Sequence, residues 1–308
     1  MVFATDRGLT LGANKQVQAG LSIEMITAIV PVLLSCSSPE TPDTTDPAGA
    51  VDAEFVVIDN PDADSPGFGA FTSYVDMNGL GVYGEDGVSE EKLLYVAAIF
   101  AELLDNDEDG QWDDSDVYRE LVERSALMPV FAREGSEAED DFFDNYDGDG
   151  VSAVLYNNEI DPSQPGHWGA DATIEELMHT INAVGHAEVY PAVFGLDPDA
   201  SRLTEAMDVA RGGQWLTFPE AYPEDAWYHY DDWTCDYQCM AIEYIYWAQV
   251  SHMGILDDPQ TCQGIANEWE LCSAELVRTT DVLVYDILID SSQPLPQQAP
   301  DGTYAPGQ

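Results

Sequence analysis

The sequence predicts a mixed α+β fold that forms a single body over residues 54–290. Short runs rich in β-branched and aromatic residues predict strands, and longer segments with apolar residues every three to four positions predict helices. The chain has 308 residues, of which 45% are hydrophobic, so a sizeable core is expected. The segments predict a helical hairpin that is fused to a mixed domain with a small sheet and a mainly helical C-terminal part.

Three apolar runs predict the strands of the sheet. They lie at residues 54–60, 126–132 and 151–160. Residues 66–88 are rich in glycine, so we expect turns and loops there.

Helical periodicity is clearest in residues 90–104, where Leu93, Val96, Ala97, Phe100 and Leu104 share one face. A second helix, from about 114 to 124, completes the predicted hairpin at 90–124. The C-terminal part, 151–290, is expected to carry helices at 173–186, 201–211 and 236–252, and two more within 262–288.

The N-terminal segment, residues 1–36, ends in a short apolar run that is too short to cross a bilayer. Its last residues, L-L-S-C at 33–36, resemble the bacterial lipobox, in which the cysteine is lipidated after signal cleavage. The resemblance implies an exported protein that is anchored through Cys36 at the cell envelope or surface. Residues 37–53 would then be a flexible tether, and 291–308 form a Pro-rich tail. The alternative is an ordinary apolar N-terminal segment.

The charge of the chain restricts its partners. There are 59 acidic and 9 basic residues, which give a formal net charge of -50. Such a surface repels phosphate backbones and anionic lipid, so we expect no nucleic acid and no membrane contact beyond a lipid anchor. Divalent cations are the expected partners. The alternative is a solvated acidic coat that suits salty water.

Four further cysteines lie close together in the sequence, at Cys235, Cys239, Cys262 and Cys272. In an exported protein this even number predicts two disulfides, with three possible pairings. A nested pairing (Cys235 with Cys272, Cys239 with Cys262) would join two antiparallel segments. A four-thiolate zinc site is the competing interpretation.

Residues 105–116 read D-N-D-E-D-G-Q-W-D-D-S-D, with alternating carboxylates and a glycine at the sixth place. This pattern, between two predicted helices, resembles the EF-hand calcium loop. The resemblance implies six calcium ligands, with Gln111 acting through its backbone carbonyl and Asp116 in place of the usual glutamate: Asp105, Asp107, Asp109, Gln111, Asp113 and Asp116. The alternative is an acidic turn without a bound ion.

A second acidic run, N-Y-D-G-D-G at 145–150, has a similar start. Asn145, Asp147 and Asp149 occupy the first, third and fifth places. They form either a second calcium site or a Gly/Asp turn.

Residues 173–186 read T-I-E-E-L-M-H-T-I-N-A-V-G-H. On an ideal helix Glu175, His179, Asn182 and His186 fall within about 60° of one another. A carboxylate and two imidazoles on one stripe suit a transition metal such as zinc, and Gly185 predicts the end of the helix. The alternative is a solvated polar face, with His186 capping the helix C-terminus.

A metal on this helix needs a ligand from elsewhere, and two carboxylates are candidates. Glu205 lies off the apolar face of its predicted helix. Glu243 is the only formally charged residue between Asp236 and Asp257, and its helical neighbours are apolar or aromatic. A buried carboxylate must be neutralised, paired or bound to metal, so Glu243 is the stronger candidate.

The segment E-E-L-M-H at 175–179 resembles the zincin metallopeptidase motif H-E-x-x-H, with Glu in place of the first His. The resemblance implies a zincin-like domain, zinc bound by Glu175 and His179, Glu176 as the general base, and a peptide or protein substrate. The alternative is a non-catalytic calcium-binding lipoprotein in which Thr173 and Glu176 form a capping box. Several segments within 90–290 also resemble an uncharacterised type of exported bacterial protein, which implies no activity.

Overall fold

The computed structural model describes residue 51 and residues 54–307 of the chain. Helices and a small mixed sheet together confirm the α+β class. The five strands are β1 (Val57–Asp59), β2 (Phe71–Met77), β3 (Leu80–Glu85), β4 (Leu127–Phe131) and β5 (Leu155–Tyr156).

Helices make up most of the regular structure after β3. A 3-10 turn (Asn157–Glu159) and a π-helical segment (Ile181–His186) add to eleven α-helical segments in the described residues. No helix in this part of the chain is long and apolar enough to cross a membrane. The α-helices are α1 (Glu90–Leu104), α2 (Ser115–Glu123), α3 (Glu137–Asn145), α4 (Thr173–Thr180), α5 (Ala187–Val189), α6 (Pro191–Phe194), α7 (Arg202–Ala210), α8 (Tyr237–His252), α9 (Pro259–Gly264), α10 (Ala274–Thr280) and α11 (Val282–Leu288).

The strands follow one another across the sheet in the order β1-β2-β3-β4-β5. The first three are antiparallel neighbours, and β4 and β5 then continue the sheet in parallel. The connection from β3 to β4 contains α1 and α2, as a parallel crossover requires. The predicted helical hairpin is therefore the crossover of the sheet.

The β2–β3 hairpin lies within 66–88, where only turns and loops were expected, so that prediction was wrong for residues 71–85. Gly84 of β3 allows α1 to pack closely on the strand, because a Cβ there would lie 2.7 Å from Leu93 Cδ1. The helix α3 was not expected either. The third predicted strand, 151–160, shortens to β5 and the 3-10 turn.

The core lies where α4 is enclosed between α1 and α8. The predicted apolar face of α1 is buried as expected, from Leu93 to Leu104. Helix α8 is buried on nearly all sides, which is typical of a helix that is apolar all round. Polar side chains on the facing sides of α4 and α8 therefore meet inside the protein.

The disulfides join neighbours in sequence, Cys235 with Cys239 and Cys262 with Cys272. Two disulfides were predicted correctly, but the nested pairing and the four-thiolate zinc site were wrong. Asp236 caps α8, so the first disulfide lies across the helix start. Its Cα atoms are 5.4 Å apart, which is a normal separation for a disulfide.

A buried arginine joins α7 to α8. Arg211, at the end of α7, is fully buried, and its guanidinium lies 3.0 Å from the carboxylate of Asp208. It also contacts the sulfur of Met240 and lies over the ring of Tyr237, 5.2 Å from the centroid. Asp208 is the one acidic side chain that forms an ion pair with this cation in the described part of the chain.

Candidate metal centre

The helix that carries the predicted stripe is longer than expected and changes its winding. It runs from Thr173 through α4, the π-helical segment and α5 to Val189. Gly185 lies inside the π-helical segment, so the predicted helix end there was wrong. A Cβ on Gly185 would lie 2.9 Å from Val117 Cγ1, so glycine allows the close approach of α2.

Three predicted ligands converge between α4 and α8. One ligand atom each from Glu175, His179 and Glu243 lies within 4.8 Å of the other two. His179 Nε2 and Glu243 Oε2 are 3.4 Å apart. Two ligands of a tetrahedral zinc ion, at its usual bond lengths, are about 3.3 Å apart. The spacing of this pair therefore fits a shared metal ion better than a strong direct hydrogen bond.

Neighbouring side chains hold each of the three ligands. Glu176 Oε2 lies 3.5 Å from His179 Nδ1, on the other ring nitrogen from Glu243. The hydroxyl of Tyr230 donates to Glu243 Oε1 over 3.2 Å. Tyr246 lies near Glu175, and burial and then the charge of that carboxylate raise the pKa of the tyrosine. Metal ligands are commonly oriented by such outer contacts, and a carboxylate on the second nitrogen of a histidine is a frequent one.

The centre is buried and strongly acidic. His179 and Glu243 are fully buried, whereas Glu175 is partly exposed. Glu243 Oε2 accepts no hydrogen bond from the described residues. No lysine or arginine in this part of the chain forms an ion pair with Glu175 or Glu243. Positive charge from a protonated His179 or from a bound divalent cation would compensate these carboxylates.

Burial and the surrounding carboxylates shift the pKa values of Glu175 and His179. Burial, and then the charges of Glu243 and Glu176, raise the pKa of Glu175 well above its usual value. Burial acts to lower the pKa of His179, but Glu243 and Glu176 outweigh it and raise that pKa well above its usual value. Without a metal, these shifts favour the protonated form of His179 beside Glu243, and metal binding would have to displace that proton.

The capping-box interpretation of Glu176 was wrong. The N-cap of α4 is Ala172, which offers no side-chain oxygen. The hydroxyl of Thr173 donates instead to Asp171. Glu176 is thus left to contact His179.

The structure does not bring His186 or Glu205 to this centre. The π-helical segment adds residues to the turn, so the stripe predicted from an ideal α-helix breaks after His179. His186 Nδ1 lies 3.1 Å from Asn182 Oδ1, and Asn182 donates to Gln249 on α8. Glu205 is exposed on α7.

His186 makes stability sensitive to acid. Burial lowers its pKa to about 4, and the charge of Asp114 and the carbonyl of Pro294 oppose that shift only in part. Between pH about 6.5 and 4 the unfolded chain binds the extra proton and the folded one does not, so stability falls as the pH falls. Over this pH range, we expect the free energy of unfolding of His186→Gln to fall by up to about 3 kcal/mol less than that of the original protein. Urea unfolding at several pH values measures it, and parallel pH profiles for both proteins would contradict it.

The acidic loop brings three of its predicted calcium ligands together. Carboxylate oxygens of Asp105, Asp107 and Asp109 lie within 4.8 Å of one another, and Gly110 has the positive φ of 85° that the turn requires. Burial raises the pKa of Asp113, and these three charges raise it further. Asp113 therefore lies close to the group.

The last predicted ligand, Asp116, lies outside the group and forms an ion pair with Arg119 at 2.8 Å. The residue stands in the first turn of α2, where Asp114 is the cap. The Gln111 side chain bonds to the Gly110 carbonyl. Fewer protein ligands are thus gathered here than the pattern implies.

The Pro-rich tail packs on the acidic loop. The Tyr304 hydroxyl donates to Asp105, and the Ala305 amide donates to Glu108 over 3.0 Å. Amides of Gln297 and Gln298 donate to Asn106. The tail is coil as expected, but its contacts could not be read from its composition.

The second acidic run forms no comparable loop. Asn145 ends α3, and its side chain donates to Asp141. Asp149 lies 3.2 Å from the guanidinium of Arg124. Asp147 and Asp149 line a surface groove that also contains Tyr146.

Sequence reasoning did not find Tyr230 as a partner of Glu243. It lies in an aromatic loop, and periodicity does not say which way a loop side chain points. The sequence offered one indication of this contact, namely that Tyr230 lies shortly before α8 in the chain. Comparisons with protein-family models, with curated proteins and with solved structures each found no match to this chain.

Proposed function

We propose that this protein binds a transition-metal ion at Glu175, His179 and Glu243, and that zinc fits best. The observation that carries this proposal is Glu243 Oε2, which is fully buried, accepts no hydrogen bond from the described residues, and lies 3.4 Å from His179 Nε2. One imidazole and two carboxylates are a borderline to hard ligand set. A divalent ion would balance the charges of the two ligand carboxylates.

The position of Glu176 favours a supporting role over that of a general base. Its carboxylate approaches the nitrogen of His179 that faces away from Glu243, where it can orient the ring. A buried metal that joins α4 to α8 would stabilise the core. This arrangement supports a non-catalytic metal centre as the first candidate.

A hydrolytic enzyme, such as a divergent metallopeptidase, is the second candidate. Three protein ligands leave one position of a tetrahedral zinc ion open, and Glu175 is partly exposed beside it. Bound zinc supplies Lewis-acid chemistry. For that chemistry, Glu176 would have to contact the open coordination position in addition to its contact with His179.

Elemental analysis of the protein, purified without chelator, tests the metal proposal. We expect about one equivalent of zinc or a related metal, as for a site with three fixed ligands. His179→Gln should lose it, whereas His167→Gln, at an exposed histidine, should keep it. A metal-free original protein that also fails to bind added zinc would contradict the proposal. The second candidate falls if the zinc-loaded protein cleaves no member of a broad peptide library.

We also propose that the acidic loop binds calcium through Asp105, Asp107 and Asp109. Supporting this, the loop amides of Gly110 and Gln111 orient the carboxylates of Asp105 and Asp109. We expect calcium to raise the melting temperature, and Asp105→Asn to lose most of that rise because a ligand charge is removed. Asp116→Asn is the control and should keep it. An equal response in all three proteins would contradict a site at this loop.

Export to an oxidising compartment is proposed on the two disulfides, which persist outside the reducing cytosol. The predicted lipid anchor at Cys36 and most of the predicted tether lie outside the described residues. The acidic surface remains consistent with a solvated coat as well as with cation binding.

A further inference from the structure

A surface groove of about 560 Å³ is lined by residues between 62 and 149, and none of the proposed metal ligands belongs to its lining. The β2–β3 hairpin, the end of α2 and residues 146–149 form its walls. The volume is in the range of small-molecule sites. Four aromatic side chains line it, namely Phe68, Tyr74, Tyr83 and Tyr146.

The aromatic wall is a packed set. The ring of Tyr83 lies 4.8 Å from that of Tyr74 and 4.9 Å from that of Phe68, and Phe68 lies 6.0 Å from Tyr146. The hydroxyl of Tyr83 donates to Asp62 over 2.6 Å, which fixes that ring. A wall held in this way is ready for a ligand without rearrangement.

The rest of the lining is acidic. Asp62, Glu123, Asp147 and Asp149 line the groove together with one cation, Arg124. The guanidinium of Arg124 is already engaged, because Glu120, Asp149 and Glu188 all lie within 3.2 Å of it. Within the described residues, no lysine or arginine forms an ion pair with Asp62, Glu123 or Asp147. The groove is therefore electronegative.

We infer that this groove binds a small organic ammonium ion. The faces of aromatic rings attract cations, and an alkylammonium group combines a diffuse charge with apolar surface. A bare metal ion is a poorer match, because these carboxylates do not converge within ligand distance. A neutral ligand would gain nothing from the charge. This site also accounts for Asp147 and Asp149 without a second calcium ion.

Titration with choline, and with its neutral carbon analogue 3,3-dimethylbutan-1-ol, tests the inference by NMR or calorimetry. In about 0.15 M salt, which screens long-range attraction, we expect choline to bind about tenfold more tightly than the alcohol. Tyr74→Leu and Asp62→Asn should each weaken choline about fivefold or more. Asp64→Asn removes the same charge nearby but outside the lining, and should leave binding unchanged.

Three results would overturn the inference. They are equal binding of choline and the alcohol, no choline binding by the folded original protein, and binding that neither groove variant weakens. Since Tyr74→Leu alters a strand, melting curves must show that it is folded. If it is not, Asp62→Asn, at a partly exposed aspartate outside the strands, decides the matter once its own melting curve shows that it is folded.

Discussion

Glu243→Gln is expected to lower zinc affinity by about a hundredfold or more, because it replaces a buried anionic ligand with a neutral amide. Its effect on folding should depend on the metal. Glutamine keeps an oxygen that can accept from Tyr230, and it removes the repulsion between the carboxylates of Glu243 and Glu175. With chelator present, the variant should therefore be as stable as the original protein or more stable.

With zinc present, the order should reverse. At a zinc concentration about a thousand times the dissociation constant, the original protein gains about 4 kcal/mol and the variant gains little. Calorimetric melting with zinc and with chelator measures both effects. Glu205→Gln, at an exposed glutamate on α7, is the matched control and should respond to zinc as the original does. A Glu243→Gln protein that zinc stabilises equally would remove Glu243 from the ligand set.

Asp208→Asn is expected to destabilise the fold by about 3–5 kcal/mol, because it leaves the buried guanidinium of Arg211 without its carboxylate. That loss corresponds to a fall in melting temperature of about 10 °C for a domain of this size. Arg211→Met in the same chain removes the stranded charge while keeping most of the packing volume. The double variant should therefore be more stable than Asp208→Asn alone.

The surface pair Arg202–Asp290 provides the comparison. Its atoms are 3.2 Å apart, but the side chain of Arg202 is 43% exposed, so Asp290→Asn should cost less than about 1 kcal/mol. Chemical unfolding of the four proteins gives these differences. Equal costs at the two sites would show that burial of Arg211 does not decide the energy of its ion pair.

Much of the candidate metal centre could be predicted from the sequence. Glu175 and His179 are four residues apart, so they share one face of any α-helix. Glu243 stands alone in an apolar helix, and that isolation predicted both its burial and its need for a partner. The same local logic found the faces of α1, the turn at Gly110 and the presence of two disulfides.

Local patterns failed where packing between elements decided the outcome. The glycines within 66–88 indicated loops, but Gly84 lies in a strand and allows the close approach of α1. The π-helical segment moved His186 out of the stripe. An ideal helical wheel assumes a constant turn of about 100° per residue, so it does not predict this change. Asp116 was placed by a loop pattern, yet in the first turn of α2 it pairs with Arg119.

The sequence by itself determined the set of candidate ligands, because helical spacing and the scarcity of basic residues are local or compositional properties. Only the tertiary structure decided which of them meet. It set α8 against α4, brought Glu243 to His179 and Tyr230 to Glu243, and laid the tail on the acidic loop. Those contacts join residues far apart in the chain, and their energy comes from burial in a shared core, which no short stretch of sequence contains.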